Sequence, residues 1–438
     1  MQKDDKLQAL IRAFVPGAAL LMCAEGLLDS RATVLYAICA VPALGALLWM
    51  LLRRGLLRRG DLLLLLAFPL FAWISCLHAY GLTLRFFLSK FLCVWCLLTA
   101  VYCAALTDPD RERLAERFAC FSVAGLSALQ LTALVSASLS LLSDPPAHNM
   151  IWGCFLRGRL TALGNANYLG FSAAALLLLS VFGLLEASRG RRALYGTGAV
   201  LGWFSLGLSN CRTGILGVSL ALGLLVFAAL CRGSARRRLL PGVLLGLLAA
   251  GTAVGLLLLP LPVYRLLLGL PARLLHHPVL AENLKALELR RFTEHYATLS
   301  DRTLIWRRCL SEVFRTPRRA LLGVSSVDWG VIPSVYSGHH EILSPHAHNE
   351  LLEILHRFGL IGLGIWLALL ALWCVRGLRL LLDSEQRLSL RFLAAAAAGI
   401  LAMGITEPLP YFPSGTASLA LPFFLICGFV MRERRREE

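Results

Sequence analysis

Apolar residues in this chain gather into long runs instead of alternating with polar ones. Stretches of about 17 to 25 residues with few charges recur along nearly the whole sequence, each long enough to cross ~30 Å of hydrocarbon as a helix. The pattern predicts about twelve spans, near 10–28, 33–52, 62–79, 84–106, 118–142, 165–186, 193–210, 213–231, 239–260, 350–376, 391–408 and 416–432. Two segments break this rhythm. The first, about 143–164, opens with Asp144-Pro145-Pro146 and holds Trp152, Arg157 and Arg159, which suits a loop at the membrane surface. The second, about 261–349, is far longer than connectivity requires. Leu304, Ile305, Val313 and Phe314 around Trp306 predict an amphipathic helix there, stopped near Pro317 and with Asp301 available at its start. The expected fold is all-α and polytopic, with spans 1–9 over about 1–260, one large extracytoplasmic loop of short helices over about 261–349, and spans 10–12 over about 350–438.

Arginine placement orients the spans, because Lys and Arg in short loops stay on the cytoplasmic side. Arg53, Arg54, Arg58 and Arg59 follow the second predicted span, Arg111, Arg113 and Arg117 the fourth, and Arg189, Arg191 and Arg192 the sixth. Arg232, Arg236 to Arg238, Arg376, Arg379, Arg387, Arg391, Arg432 and Arg434 to Arg436 continue the register. Both termini are expected in the cytoplasm, with the two long segments outside. The first apolar run lacks a small-residue cleavage site and is expected to remain as the first helix.

Composition agrees with this picture. Hydrophobic residues make up 58% of the 438 and charged ones only 16%, with a mean hydropathy of +0.70 that a water-soluble domain could hardly sustain. The formal charge of +17 sits mostly in the short flanks, where topology and anionic lipid headgroups account for it, so membrane lipids are expected partners and nucleic acid is not. Most of the thirteen cysteines, such as Cys23, Cys39, Cys76 and Cys103, lie inside apolar runs and read as small buried hydrophobes. Cys93 and Cys96 form a C-x-x-C within a span, without the βαβ setting of a redox motif.

Chemistry concentrates at Ser344-Pro345-His346-Ala347-His348-Asn349, which closes the long loop and runs into the helix carrying Gly359 and Gly362. If that helix includes His348, positions 348, 352, 355, 359 and 362 share one face. The histidine then stands above a glycine-lined contact that a neighbouring helix can approach. Asn349 can orient the imidazole or simply cap the helix, with Glu350 and Glu353 in its first turn. A lone histidine at a membrane interface is usually only solvated or hydrogen-bonded.

Four elements in order change that balance. His348-Asn349, nine residues and then Gly359-x-x-Gly362 resemble the signature of the O-antigen ligase and polymerase superfamily of membrane glycosyltransferases. Arg159-Leu160 followed by Gly164-Asn165-Ala166-Asn167-Tyr168 resembles its Arg plus Gly-Asn-Pro-Asn element, with Ala166 in place of the frequent proline. Ser209-Asn210-Cys211-Arg212-Thr213-Gly214 is similar to its Ser-Arg-Gly turn, and Arg302 with Trp306 to the Arg-x-x-x-Trp of its outer loop. The specific elements span roughly 155–365.

The resemblance implies a GT-C-like membrane enzyme in the cytoplasmic (inner) membrane. It would move a glycan from a polyprenyl-diphosphate carrier to a hydroxyl of a saccharide or glycolipid acceptor on the outer face. Guanidinium forks match the leaving diphosphate, which makes Arg159, Arg212 and Arg302 its candidate ligands. Arg212 sits in a tight outer turn where topology gives no reason for an arginine, although a headgroup contact would also explain it. The resemblance assigns the base to His348 with Asn349 beside it, leaving His346 as a neighbour. Histidine titrates near 6.5 and can accept the acceptor's proton as it attacks, with inversion at the anomeric carbon.

No cofactor or metal is expected. Asp108-Pro109-Asp110 spells the Asp-x-Asp of nucleotide-sugar enzymes, but falls on the predicted cytoplasmic side and reads as a helix start. Glu25, Lys90 and Glu407 lie in apolar runs near their predicted outer ends. Lys90 is a possible extra phosphate ligand and Glu407 a lining of the acceptor cleft, with interface snorkelling the competing reading for each. Asn167, Tyr168, Trp306 and His346 complete the candidate substrate contacts. A polymerase of the same superfamily and a protein-modifying variant differ only in acceptor. A lipid or solute transporter is the rival from another class, but would place its charges near midplane on broken helices.

Overall fold

Helices occupy the apolar runs. The computed structural model describes residues 32–53, 59–80, 92–146, 149–156, 158–186, 189–230, 235–293, 298–324, 335–337, 340–342, 346–409 and 417–432. The predicted span near 10–28, with Glu25, lies outside these residues, as does Lys90. The first four described helices are α1 (Ala32–Arg53), α2 (Gly60–Tyr80), α3 (Cys93–Thr107) and α4 (Arg111–Ser140). A small hairpin of β1 (Cys154–Leu156) and β2 (Arg159–Thr161) leads into α5 (Ala166–Glu186), α6 (Arg192–Ser209), α7 (Arg212–Leu230) and α8 (Ala235–Leu258). The long segment holds α9 (Pro260–Leu274), α10 (Pro278–Thr293), α11 (Thr298–Val313), α12 (Pro317–Leu322) and a hairpin of β3 (Val335–Ser337) and β4 (His340–Ile342). Three helices close the chain: α13 (Glu350–Leu382), α14 (Leu388–Met403) and α15 (Ala417–Met431).

This is an all-α polytopic membrane protein. Among the described residues five helices are long and apolar enough to cross a membrane, and shorter apolar helices pack with them. One of the five runs Leu239–Leu274 and takes in α9. Helix α5 lies at the centre, with 78% of its apolar window buried, so protein surrounds it on most sides instead of lipid. Where no water drives helices together, close backbone approach must do it. A Cβ added to Gly217 of α7 would lie 2.6 Å from the Gly399 carbonyl of α14, and one on Gly223 would lie 2.6 Å from the Gly246 carbonyl of α8. Phe68, Trp95 and Trp366 join α2, α3 and α13, with ring centroids 5.0 to 6.2 Å apart.

Local chemistry sets the helix ends. Asp108 and Asp110 form the turn between α3 and α4, Asp110 accepting the Arg113 N–H at 3.2 Å as the N-cap. The Asp-x-Asp spelling is thus a helix start, as the sequence suggested. Thr316 caps α12, with Pro317 in its first turn. Asn349 caps α13, accepting the Leu352 N–H at 2.9 Å.

That cap corrects the expected helix face. Helix α13 begins at Glu350, so His348 lies before it, with a left-handed φ of 50°. Gly359 is also not a contact between two spans. It breaks α13 with φ 64° and ψ −167°, a conformation open in practice only to glycine. A Cβ there would collide with the Leu321 carbonyl and fall 2.5 Å from the Gly323 nitrogen, so its partner is the end of α12 in the long segment. Ser75 Oγ of α2 donates to the Leu322 carbonyl at 2.5 Å, and the Val324 N–H donates to the His356 carbonyl at 2.8 Å, fixing the same junction. Gly362 instead admits Phe71 of α2.

Gly359→Ala should therefore destabilise the protein by about 2 kcal/mol or more, from the forced backbone and the collision together. Gly364→Ala, in open space on the same helix, should leave the thermal midpoint in detergent unchanged or slightly raised. Equal midpoints for the two variants would contradict this account of the break.

Candidate active site

Five helix ends meet at one end of the bundle. The N-termini of α5, α7 and α13 and the C-termini of α6 and α14 come together there through a network centred on Glu407, in the turn that follows α14. The turn is held by its own backbone: the Glu407 N–H donates to the Met403 carbonyl at 3.1 Å and the Leu409 N–H to the Glu407 carbonyl at 2.8 Å. Thr406 and Thr213 share a hydrogen bond of 2.7 Å that ties the turn to α7. The Glu350 N–H donates to the Gly404 carbonyl at 2.8 Å, and Asn349 Nδ2 to the Ile405 carbonyl at 2.9 Å, tying it to α13.

Glu407 is 3% exposed, and a bare carboxylate could not be held there. It is not bare. Arg302 Nη2 of α11 lies 2.9 Å from Oε1, Asn167 Nδ2 of α5 donates to the same oxygen at 3.4 Å, and His348 Nδ1 lies 3.0 Å from Oε2. Burial pushes the Glu407 carboxyl up, but the hydrogen bond and charge of His348, with His346 and Arg302 beside it, win and hold it below the usual carboxylate value. An ionised Glu407 makes Nδ1 of His348 the donor, so an uncharged His348 carries its lone pair on Nε2.

Arg159 extends the network. It leaves β2 to donate from Nη2 to Asn167 Oδ1 at 2.6 Å and from Nε to the Ser209 carbonyl at 2.7 Å. Asn210, left-handed at φ 50°, ends α6 and lets the chain turn at once into α7. Arg212 is the first residue of α7 and exposed. Its charge is near enough to Arg159 to oppose that of its neighbour. Three arginines against one carboxylate, with three helix N-termini directed at the same place, make this end of the bundle suited to an anion.

The remaining candidates divide. His346 stacks edge-on against His348 at 4.1 Å between ring centroids, and its Nδ1 accepts the His348 N–H at 3.3 Å. Trp306 is committed to the backbone, its indole N–H donating to the Ala347 carbonyl at 2.8 Å. Tyr168 packs, half-buried, against the apolar core. Glu353 was read only as a first-turn acid. It is buried and takes the Ala347 N–H at 2.6 Å on one oxygen and Arg357 Nε at 2.5 Å on the other. No sequence spacing announced it beyond its place in the first turn of a helix.

Ligand atoms of His346, His348 and Glu407 all lie within 4.8 Å of one another, a spacing a metal ion can bridge. The donor set is ill suited to one. Both Glu407 oxygens already carry hydrogen bonds, His346 Nδ1 is taken by the His348 N–H, and a cation would stand against Arg302.

Burial, aided by His348, pushes the His346 pKa down from 6.5 to about 3. A histidine held neutral in the fold gains a proton more easily when unfolded, so between those values the unfolded chain binds more protons and stability falls as pH falls. The lowered Glu407 acts in the same direction, its contribution present above the unfolded carboxylate pKa and lost in acid. Thermal midpoints measured from pH 7 to pH 5 should fall for the wild type and fall less for His346→Phe; parallel profiles would contradict a neutral, buried His346.

Residues 197–367 match the family model described as O-antigen ligase. No curated protein matches the chain at a significant level. The matched stretch includes Arg212, Arg302, His348 and Asn349, and Arg159 and Glu407 reach the same cluster from either side of it. The match supports a likeness of residues 197–367 to the O-antigen ligase and polymerase superfamily.

Proposed function

We propose that this protein transfers a glycan from a polyprenyl-diphosphate carrier to a hydroxyl of a saccharide or glycolipid acceptor, as an O-antigen ligase does, with inversion and without a metal. The observation that carries this reading is the His348–Glu407 pair beside Arg302. Glu407 fixes one ring nitrogen and turns the other toward an acceptor, the arrangement that makes an imidazole a general base. Nε2 takes the hydroxyl proton as the acceptor oxygen bonds to the anomeric carbon. The bond from that carbon to the carrier phosphate breaks, and its electron pair leaves with the diphosphate.

Arg159, Arg212 and Arg302 bind that diphosphate, whose charge rises as the bond breaks. Arg302 then serves two partners, which couples diphosphate binding to the group that orients the base. Asn167 links Arg159 to Glu407 and keeps the two halves in register. Asn349 acts by starting α13 and holding the 404–409 turn. The arginine register supports an active site on the extracytoplasmic side of the cytoplasmic membrane, with both termini inside.

In proteoliposomes given a polyprenyl-diphosphate glycan and an acceptor, His348→Ala should lower release of carrier diphosphate by about 10² to 10⁴-fold, and Glu407→Gln by about 10²-fold. EDTA should leave the rate unchanged. Undiminished transfer by His348→Ala would sink the assignment of the base. A single addition indicates a ligase and a ladder of products a polymerase.

A further inference from the structure

We propose that Glu353 and Trp306 are positioning residues that grip the two peptide groups on either side of Ala347 and so set the pose of His346 and His348. The inference rests on the reading of His348 as the base. Ala347 is fully buried and packs with Ile305 and Cys309 of α11 and Leu352 of α13. Its N–H, part of the peptide joining it to His346, donates to Glu353 Oε2 at 2.6 Å. Its carbonyl, part of the peptide joining it to His348, accepts the Trp306 indole N–H at 2.8 Å. Two adjacent peptide planes, one held from α13 and the other from α11, restrict the intervening backbone torsions, and the next torsion along is the left-handed φ of His348.

That torsion is unfavourable for a residue with a side chain and persists only where the surroundings impose it. Glu353 can impose it because it is itself fixed. Its side chain is 2% exposed, and Arg357, one turn further along α13, holds its other oxygen at 2.5 Å. Trp306 can impose it because α11 is anchored elsewhere. Arg302, one turn earlier on the same helix, is paired with Glu407. The helix that carries an arginine to the carboxylate therefore also sets the backbone from which the histidine reaches that carboxylate.

The test uses the full-length protein and reads two things at once: glycan transfer, and the carbethoxylation rates of His346 and His348 by diethyl pyrocarbonate, measured by mass spectrometry at neutral pH. Trp306→Phe keeps an aromatic ring while removing the N–H with the rest of the five-membered ring, a milder change than truncation to alanine. Glu353→Leu removes the acceptor for Ala347, and Glu353→Gln retains an oxygen for it. The first two should lower kcat by about tenfold or more with donor KM within about twofold, and should raise His346 labelling several-fold. Glu353→Gln should restore part of both, because its one oxygen can serve Ala347 while the contact to Arg357 is lost.

Labelling unchanged in Trp306→Phe and Glu353→Leu would overturn the proposal, whether or not transfer falls. Labelling raised with transfer intact would leave the grip on Ala347 standing and overturn His348 as the base.

Discussion

The buried carboxylate of Glu407 is the constraint on which this end of the molecule depends. Its two oxygens collect groups from α5, α11 and the residues preceding α13, while its own backbone belongs to the turn after α14. A charge in a nearly waterless place is tolerated only with several donors, and removing one partner leaves the rest under-compensated. The helix ends are therefore interdependent: the long segment, the central helix and the last third of the chain are held to a common point by one residue's need for solvation.

The opposite end of the bundle shows the same economy in a more exposed setting. Arg387 pairs with Glu112 at 2.8 Å and with Glu186 at 3.0 Å, and Ser389 donates to the other oxygen of Glu186 at 2.5 Å, joining α4, α5 and α14. These contacts are wetter and individually weaker than those around Glu407. Between the two ends, glycine contacts on α7, α8 and α14 and the aromatic group on α2, α3 and α13 supply packing without polar demands. Ion pairs thus gather where helices end, and apolar fit governs most crossings, with Gln130 donating to Ser172 Oγ at 2.7 Å between α4 and α5.

Much of this was legible in the chain. Span lengths follow from hydrocarbon thickness, and the runs are nearly free of charges, so helix positions came through clearly. Arg159, Arg302 and His348 stood out because their neighbours form recognisable elements. Glu407 did not, because 59 positions separate it from His348 and no local spacing marks such a partner. Its apolar neighbours left acceptor lining and snorkelling as the readings. His348 was expected on the helix because a periodic count cannot see where a helix begins. The Asn349 cap decides that, and it moved the histidine onto a left-handed residue facing a different direction. Gly359 was visible as a glycine and misread as a span contact, since the collision it avoids involves Leu321 and Gly323, far away in sequence.

The break at Gly359 also divides the longest helix into two parts of different character. Helix α13 has 33 residues and would measure about 50 Å if straight, well beyond ~30 Å of hydrocarbon. From Leu360 to Val375, ahead of Arg376 and Arg379, the length is about 24 Å, most of the way across that layer. Glu350, Glu353, His356 and Arg357 all fall before the break. One residue without a side chain therefore separates an apolar rod from a polar lever that carries four ionisable groups.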